Sequence, residues 1–364
     1  MRSLASIQRI TALEPIKGAD RIVVARVLGW DVVVQKGLYE VGDLVVYFEI
    51  DSILPDRPWC EFMRDRKFRV KTIKLRKQIS QGLCVPIGEC LPQATYNEGM
   101  DVTDMLGVTK HDPEGDKERA GNVSGRQPIP HAWMIRFGIT RKLHQMIYPR
   151  KKGSWPEWFP KTDETRVQNI THLEDKTDGR DLYVTEKLDG QSCTVFYNRL
   201  EKVGLFKKGL FGVCSRNIWY KTDVSNNWWN VAKVEDLPVC LPEYCDMKGI
   251  SLAIQGEICG PGIQGNKYGL EFHELFVYSV FNIEEGTYLD YTQKRYVCEA
   301  LNLQQVPLVK THVRTNSCDI WVEYAKGKSK LKPTVEREGI VVRDSNDDSF
   351  SFKAISNNFL LKNE

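Results

Sequence analysis

Short runs of β-branched residues, separated by glycine and aspartate turns, dominate the first hundred residues of the chain. The runs cover residues 21–28, 31–35 and 44–49, and Gly29 and Trp30 separate the first two. Closely spaced strands with such turns between them are typical of a small β-barrel or sandwich. The length suits a five-stranded β-barrel of the OB type. We therefore predict an OB-type domain over residues 1–111.

The apolar pattern breaks after this region. Residues 112–122 are charged and rich in glycine, which favours a linker, and residues 131–148 carry a mixed apolar face typical of a helix. Residues 112–150 are therefore predicted to be a linker with a helical segment. Two prolines and three aromatic residues then crowd into residues 153–161, which cannot form a long helix. We place the start of a second domain, residues 151–364, at this point.

Strand-like apolar runs return in the second domain and alternate with helical segments. The predicted strands cover residues 182–186, 192–197, 252–257, 276–283, 339–343 and 349–353, and the predicted helices cover residues 292–301 and 316–326. This mixture predicts an α+β domain built on antiparallel sheets. The fold class expected for the whole chain is therefore α+β, with an OB-type β-barrel first and the α+β domain second.

Composition places the chain among soluble globular proteins. It has 364 residues, of which 41% are hydrophobic and 27% charged, and a formal net charge of only +3. The first ten residues lack the apolar core of a signal peptide, and no stretch is long enough to span a membrane. We therefore expect a soluble, intracellular protein with no membrane partner, while the sequence indicates no particular compartment.

The ten cysteines and six histidines form no recognisable metal-binding motif. Neither C-x-x-C nor H-E-x-x-H occurs, and zinc sites need such close pairs of ligands. We interpret the cysteines as small buried apolar residues of a chain that works under reducing conditions.

The segment EKLDG, from Glu186 to Gly190, combines a lysine with a carboxylate at the end of a predicted strand. Lys187 and Asp189 are close enough to serve one site, and Gly190 permits close backbone approach or a positive φ. An amine nucleophile must lose its proton, so metal ions or nearby cations would have to lower the pKa of Lys187. The same K-x-D-G pattern also fits an ordinary Asp-Gly turn beside a solvated lysine.

Further charged residues follow in order along the second domain. Arg216 lies in a loop after a strand, Glu257 ends a strand, and Glu338 stands at the head of a buried strand. Two lysines, Lys353 and Lys362, lie near the C-terminus. Each of these residues taken alone could be a solvated surface residue, so their order along the chain carries more weight than any one of them.

At these residues the chain resembles the covalent nucleotidyltransferases, which include DNA ligases, RNA ligases and mRNA capping enzymes. The closer resemblance is to ATP-dependent RNA ligases with an N-terminal OB domain and a C-terminal nucleotidyltransferase domain. It rests on the segments EKLDG, CSRN, QGEICGPGIQGN, EGIVV and SFKAISNNFLLK, and on the N-terminal segment SLASIQRITALEPIKGADRI. The likeness therefore covers nearly the whole chain.

This resemblance implies a role for each motif residue. Lys187 would attack the α-phosphate of ATP, release pyrophosphate and carry AMP. Glu257 and Glu338 would belong with a catalytic Mg²⁺ or Mn²⁺, and Asp189 with metal-bound water or the ribose, since phosphate transfer needs metal and carboxylates to hold it. The other nucleotide contacts that the resemblance implies are Glu186, Gly190, Arg216, Lys353 and Lys362.

The adenine base also needs an aromatic face. In the family a phenylalanine followed by aspartate marks this strand, and Phe281 matches that position best. Asn282 replaces the aspartate in this chain, so Phe276 is the alternative. Either phenylalanine could instead be an ordinary core residue.

A cluster of basic residues lies between residues 64 and 77, which carry eight positive residues and one negative residue. Lys67, Arg69 and Lys71 alternate with apolar residues, and on a strand this spacing puts the three cations on one face. Lys74 and Arg76 continue the positive charge. We predict that these five residues contact nucleic-acid phosphates, an interaction largely independent of base sequence. A solvated edge strand protected by lysine against aggregation is the alternative.

The function predicted from the sequence is ATP-dependent joining of 3′-OH and 5′-phosphate ends, foremost at nicks in duplex RNA. ATP would be the substrate, Mg²⁺ or Mn²⁺ the metal, and RNA or RNA/DNA hybrid strands the partner, and we infer no obligate protein partner. One alternative is a DNA ligase or a capping-type guanylyltransferase, although the N-terminal position of the barrel argues against both. A non-catalytic nucleic-acid-binding protein is the other.

Overall fold

The computed structural model describes residues 3–111, 152–203, 207–221, 223 and 225–363. The predicted linker with its helical segment, residues 112–150, lies outside these described residues. Within the described part of the chain, no helix is both long and apolar enough to cross a membrane.

The N-terminal domain is a curled antiparallel sheet with short additional strands. Its strands are β1 (Ala5–Pro15), β2 (Ile22–Val27), β3 (Trp30–Gln35), β4 (Leu44–Phe48), β5 (Ser52–Ile53), β6 (Thr72–Leu75), β7 (Gln78–Gln81), β8 (Leu83–Pro86) and β9 (Thr109–Lys110). Its helices are α1 (Ile87–Cys90) and α2 (Thr103–Leu106), and a 3-10 segment covers Pro58–Arg66. The main sheet has the order β3-β2-β1-β4-β8, while β5-β9 and β6-β7 form separate pairs. The predicted OB-type barrel is confirmed.

Strand β1 is the longest element of this domain that the sequence pattern did not reveal. Its N-terminal half pairs with β4 and its C-terminal half pairs with β2, and the register shifts between Ile10 and Ala12. An irregularity of this kind bends a strand and disturbs the alternation of its side chains. The strand therefore joins both halves of the curled sheet without showing a simple period of two in its burial.

The second domain contains two large sheets and most of the helices. Its strands are β10 (Lys152–Gly153), β11 (Thr165–Arg166), β12 (Leu182–Lys187), β13 (Gln191–Val203), β14 (Lys207–Cys214), β15 (Trp219–Tyr220), β16 (Leu252–Cys259), β17 (Glu274–Asn282), β18 (Thr287–Tyr288), β19 (Gln304–Gln305), β20 (Leu308–Val313), β21 (Gly339–Asp344) and β22 (Ser351–Ile355). Its helices are α3 (Leu173–Thr177), α4 (Asn227–Val234), α5 (Leu237–Lys248), α6 (Tyr291–Ala300), α7 (Cys318–Ala325) and α8 (Asn357–Asn363), and 3-10 segments cover Val167–Asn169 and Gln264–Asn266.

The larger sheet has the order β10-β15-β14-β13-β16-β17-β18, with β19 beside β17, and the smaller sheet has the order β11-β22-β21-β12-β20. Neighbouring strands run antiparallel except in the pairs β11–β22 and β17–β19. The predicted α+β domain is therefore confirmed, with two parallel pairs added. The six predicted strands and two predicted helices are present with ends shifted by one or two residues, except that β13 continues to Val203. Helix α5 was missed because Pro242 lies inside it, and proline normally indicates a helix end.

The two sheets meet at the K-x-D-G turn. Strand β12 pairs with β21 in the smaller sheet, so that Lys187 lies opposite Gly339. The next strand, β13, pairs with β16 in the larger sheet, so that Ser192 lies opposite Glu257. The turn between β12 and β13 therefore carries the chain from one sheet to the other and places its side chains at their junction.

The N-terminal domain packs directly against the second domain. The Trp30 indole N–H donates to Asn169 Oδ1 at 2.5 Å. A Cβ at Gly29 would lie 2.8 Å from a backbone Cα of the second domain, so this approach needs glycine. Ile355 and Leu360, from β22 and α8, belong to the apolar core of the N-terminal sheet. The last strand and helix of the chain are therefore supported by the first domain.

Candidate active site

Lys187 lies at the end of β12 and borders a pocket of about 240 Å³ at the junction of the two sheets. Its Nζ donates to Glu338 Oε2 at 2.7 Å, because Glu338 immediately precedes β21, the strand paired with β12. The two side chains are 26% and 13% exposed, so the pair is reachable from the pocket but mostly shielded from water. Strand pairing thus unites two residues that are far apart in the sequence.

Six further residues of the predicted set border the same pocket: Glu186, Asp189, Gly190, Arg216, Glu257 and Lys353. The Gly190 N–H donates to Glu257 Oε1 at 3.1 Å, which ties the K-x-D-G turn to β16. A Cβ at Gly190 would collide with the Ile258 carbonyl oxygen, so close backbone approach requires glycine here. Glu186 is buried and accepts a hydrogen bond from the backbone N–H of Lys330 at 2.7 Å.

The protein surroundings hold Lys187 in its charged form. Burial lowers the pKa of Lys187, but Glu338, Glu257 and Asp189 together outweigh burial and raise this pKa above its ordinary value. Among these groups Lys187 is therefore an ammonium. Attack requires an uncharged amine and therefore a lowered pKa of Lys187, whereas the surrounding carboxylates raise this pKa.

Asp189 is held by two residues that the sequence analysis did not select. Lys267 forms a close ion pair with the Asp189 carboxylate, and Tyr268 Oη accepts a hydrogen bond from the Asp189 N–H at 2.9 Å. Both residues directly follow the glycine-rich segment after β16. No periodicity in the sequence indicates that this loop returns to the K-x-D-G turn, so the contact could be seen only in the structure.

Lys353, on β22, belongs to a cluster in which Asp163 gathers three cations. The Asp163 carboxylate lies 3.1 Å from Lys353 Nζ, 3.5 Å from Arg216 Nη2 and 3.8 Å from Lys110 Nζ. Burial raises the pKa of Asp163, but these cations prevail and lower it to about 2. Burial lowers the pKa of Lys353 to about 8, although Asp163 and Glu164 oppose this change. Cations that converge on one carboxylate can also bind phosphate oxygens.

Lys362 does not border the pocket, contrary to the prediction. It lies on an exposed side of α8, where it helps Lys328 to lower the pKa of Glu336. Leu360 of the same helix packs into the core of the N-terminal sheet. Side chains two positions apart on a helix, such as those of Leu360 and Lys362, point about 200° away from each other. Burial of Leu360 therefore turns Lys362 outward.

Tyr278, rather than Phe281 or Phe276, is the aromatic residue that borders the pocket. Phe281 packs in a separate aromatic cluster, and Phe276 is only 1% exposed in another apolar cluster. The register between β16 and β17 shifts at Tyr278, which leaves this residue as the extra one of a β-bulge. A bulge re-aims a side chain, and a match to a phenylalanine motif cannot reveal it. The Tyr278 hydroxyl lies 2.7 Å from Thr162 Oγ1.

The predicted cationic strand face of Lys67, Arg69 and Lys71 is wrong. Lys67 ends a 3-10 segment with a φ of 52°, and strand β6 begins only at Thr72. Arg69 pairs with Asp51 at 2.9 Å. The left-handed backbone at Lys67 breaks the strand alternation that would have aligned the three cations.

Lys74 and Arg76 lie on the hairpin formed by β6 and β7, and both are exposed. Arg76 and Lys77 form its tip with φ values of 49° and 72°, as in a hairpin turn of the primed type. Helix α8 packs beside β6. The hairpin therefore presents its cations on the same part of the molecule as the C-terminal helix.

Comparison with known proteins identifies the family. A model of an OB-fold domain matches residues 4–87, and a model of RNA ligase matches residues 180–355. The structure of Naegleria gruberi RNA ligase with PPi is 30% identical, with a TM-score of 0.80, and the match covers 100% of this chain and 99% of that chain. This chain belongs to the RNA ligase family.

Two further structures of the Naegleria gruberi RNA ligase agree. A mutant solved with ATP and Mn is 30% identical with a TM-score of 0.80, covering 100% of this chain and 99% of that one. A mutant without ligand is 30% identical with a TM-score of 0.79, covering 100% and 98%. No curated protein matches the chain. The prediction of an RNA ligase with an N-terminal OB domain is confirmed.

Three carboxylates surround the lysine of this RNA ligase, and each is engaged by a nitrogen. Asp189 pairs with Lys267, Glu257 accepts from the Gly190 N–H, and Glu338 pairs with Lys187. Among the residues that the structure describes, no three acidic, histidine or cysteine side chains converge on a preformed metal site. Oxygen donors nevertheless suit Mg²⁺ and Mn²⁺, and Mg²⁺ usually takes one or two carboxylates together with water and phosphate. The three carboxylates remain predicted metal ligands.

Proposed function

We propose that this RNA ligase uses ATP to join 3′-OH and 5′-phosphate ends at nicks in duplex RNA, with AMP carried on Lys187. The observation that carries the proposal is the position of Lys187, which borders a pocket together with Asp189, Glu257 and Lys353 and pairs with Glu338. One small pocket thus holds an amine, carboxylates and a second cation. The relative solved with ATP and Mn supports these two ligands here.

The first step forms a bond between Lys187 Nζ and the α-phosphorus of ATP and breaks the bond from that phosphorus to the bridging oxygen, so that pyrophosphate leaves. Lys187 Nζ must release a proton before it attacks, and Glu338 Oε2, which accepts a hydrogen bond from Nζ at 2.7 Å, is the group placed to take this proton. AMP then passes from Lys187 to the 5′-phosphate of the RNA. Attack by the 3′-OH on that phosphate finally seals the strand and releases AMP.

Tyr278 replaces the predicted phenylalanines as the stacking partner of the adenine. It is the aromatic side chain that borders the pocket, and its hydroxyl is anchored beside Thr162. The Arg343 guanidinium, which also borders the pocket, lies 5.5 Å from the ring centroid and helps to fix the plane of the ring. An immobilised ring can bind a base without a further loss of side-chain entropy.

Lys353 and Arg216 are the residues that we assign to the phosphates. Both contact Asp163 in the nucleotide-free site, and both border the pocket of Lys187. A triphosphate would replace one carboxylate by several anionic oxygens, to which both side chains can donate charge-assisted hydrogen bonds. A divalent cation, when bound, would neutralise phosphate charge, and Asp189, Glu257 and Glu338 are the residues that would hold it or its waters.

We assign RNA binding to the exposed cations of the β6–β7 hairpin. Lys74 and Arg76 keep the role predicted from the sequence, whereas Arg69 is engaged with Asp51. Contacts to phosphate do not depend on the sugar of either strand. We therefore expect a nicked RNA duplex to bind, and RNA/DNA hybrid strands to bind as well.

The experiment that tests the proposal is mass spectrometry of the full chain after incubation with ATP and Mg²⁺ or Mn²⁺. We expect an AMP adduct on Lys187 and sealing of a nicked RNA duplex. Lys187→Ala should form no adduct, and Lys187→Arg should fail as well because guanidinium does not lose its proton. Circular dichroism checks that both variants fold.

An adduct that persists in either variant would contradict the assignment of Lys187. A parallel incubation with GTP provides the nucleotide control. An adduct with GTP in place of ATP would favour the capping-type guanylyltransferase.

A further inference from the structure

The loop after β16 closes on the K-x-D-G turn, and we call its residues 263–269 the clamp loop. Three consecutive residues, Gln264, Gly265 and Asn266, have φ values of 44°, 69° and 47°. Left-handed backbone is unfavourable for residues other than glycine, so such a bend persists only where its surroundings fix it. The Asn266 side chain fixes it by donating to the Leu270 carbonyl oxygen at 2.9 Å and accepting from the Leu270 N–H at 3.1 Å.

The bend delivers Lys267 and Tyr268 to Asp189. The Tyr268 hydroxyl accepts from the Asp189 backbone N–H at 2.9 Å, while the Lys267 ammonium contacts the Asp189 carboxylate. The Lys267 ammonium also lies 4.2 Å from the centroid of the Phe359 ring, a cation–π contact. The side chains of Lys267 and Asp189 are 22% and 20% exposed. The ion pair is therefore mostly shielded but can open toward the pocket.

We propose that Lys267 is a positioning residue of this ligase, which holds the Asp189 carboxylate in the nucleotide-free enzyme and is displaced from it when a divalent cation binds. The proposal rests on the proposed function, since it concerns the same site. Asp189 borders the pocket beside Lys187. A carboxylate that holds an ammonium loses part of its capacity to bind a metal or metal-bound water. Lys267 would thereby raise the concentration of divalent cation that is needed to occupy the site.

The two contacts of the clamp loop with Asp189, from Tyr268 and Lys267, have different roles. Tyr268 is 7% exposed and binds the backbone of Asp189, so it can keep the turn in place whatever the carboxylate binds. Lys267 binds the carboxylate itself and ends a flexible four-carbon side chain, which can swing away. The Phe359 ring beside it offers a position that the displaced ammonium can still occupy. Displacement therefore needs no change in the backbone of the loop.

The experiment measures Mn²⁺ binding to the nucleotide-free full chain, with free Mn²⁺ followed by electron paramagnetic resonance. Lys267→Met removes the competing charge, so we expect the Kd for Mn²⁺ to fall about two- to fivefold, as for release of one partly exposed ion pair. Lys332→Met is the matched control, because the Lys332 ammonium lies beside Gly269 of the same loop. This control removes the same charge nearby and should leave the Kd within twofold of wild type.

Lys267→Arg keeps a cation at the position and should return the Kd to near the wild-type value. Lys267→Gln repeats the test if the methionine variant does not fold. Unchanged or weaker binding by the neutral variants, or an equal gain in Lys332→Met, would overturn the proposal. The outcome is separable from the proposed function, because binding is measured without ATP. If the variants show the expected differences in Kd but the wild-type chain forms no AMP adduct, the result would count against the proposed function alone.

Discussion

Among the single residues of the site, three lysines each form an ion pair with a carboxylate. Lys187 is paired with Glu338, Lys267 with Asp189, and Lys353 with Asp163. Charges that are partly removed from water need such partners, since an unpaired one would be costly. A nucleotide and its metal must therefore exchange existing contacts rather than fill an empty site. This exchange makes the affinity for ATP sensitive to the charge state of each lysine.

The lowered pKa of Lys353 predicts a dependence of ATP binding on pH. Lys353 is charged below its pKa of about 8 and loses its charge above it, and burial is the main cause of the low value. Bound phosphate favours the charged form, which shifts the loss of binding upward. We expect the affinity for ATP to fall about tenfold as pH rises from 7.5 to 10, the loss expected for one charge-assisted contact.

The measurement is ATP binding by calorimetry in the Lys187→Ala background, where no adduct forms. The control is Lys353→Arg in the same background, because guanidinium keeps its charge through this range. The arginine variant should show a flatter profile. A profile that is equally steep in both proteins would assign the pH dependence to another group.

At the scale of elements, helix α6 joins the two sheets through a buried charge. The Lys294 ammonium lies 3.1 Å from Asp348 Oδ2 and donates to the carbonyl oxygen of Tyr278 on β17 at 3.0 Å. It also donates to the hydroxyl of Tyr183 on β12 at 2.5 Å. Lys294 and Asp348 are only 4% and 0% exposed. The network therefore ties β17, which carries Tyr278, to β12, which ends in Lys187.

Removing this buried ammonium should destabilise the protein. Lys294→Met leaves the Asp348 carboxylate without its nearest cation, and breaking a buried pair in this way costs about 3 kcal/mol of unfolding free energy. Urea denaturation measures the change. Arg295→Met, on the same helix, breaks an exposed pair with Glu299 and should leave the unfolding free energy close to that of the wild type. Equal effects of both substitutions would show that burial of Lys294 does not matter.

At the scale of the whole molecule, the two domains share a core. Ile355 and Leu360 pack into the N-terminal sheet, and the strand that contains Ile355 also carries Lys353. Helix α8 packs beside the β6–β7 hairpin. The N-terminal domain thus supports the part of the second domain that holds Lys353, the lysine that we assign to the phosphates, and it also carries the cations that we assign to RNA.

The hairpin cations should affect sealing but not adenylylation. Replacing Lys74 and Arg76 by alanine should weaken binding to a nicked RNA duplex, and the slope of log affinity against log salt should become shallower by about one to two units. The AMP adduct on Lys187 should form at the wild-type rate, since the hairpin lies outside its pocket. Binding at several salt concentrations and adduct formation are measured on one preparation.

Lys17→Ala with Arg21→Ala is the matched control, because it removes two exposed cations from the turn between β1 and β2. This control should keep the wild-type salt slope. An equal loss of binding in both double variants would mean that the overall charge of the domain, rather than the hairpin, attracts RNA. Loss of the AMP adduct in the hairpin variant would assign the hairpin to the ATP step.

Most long strands of the second domain, and the family of the protein, follow from the sequence alone. Alternating and β-branched runs predict strands because side chains alternate along a strand, and this local rule located β12, β16 and β21. Lys187 and Glu338 meet because β12 and β21 pair in register, and Glu257 joins them because the turn after β12 leads into β13, which pairs with β16. Such residues can be selected from the sequence, since a motif and a strand end are both local features.

The packing of the whole fold selects which other side chains reach the site. The bulge at Tyr278 and the packing of Leu360 redirect neighbouring residues, so Phe281 and Lys362 lie elsewhere. Lys267 and Asp163 enter the site from loops, whose paths depend on contacts distant in the sequence. The periodicity of a helix or strand determines only the direction in which a side chain points from that element. Bulges, left-handed residues and packing between elements then fix that element relative to the rest.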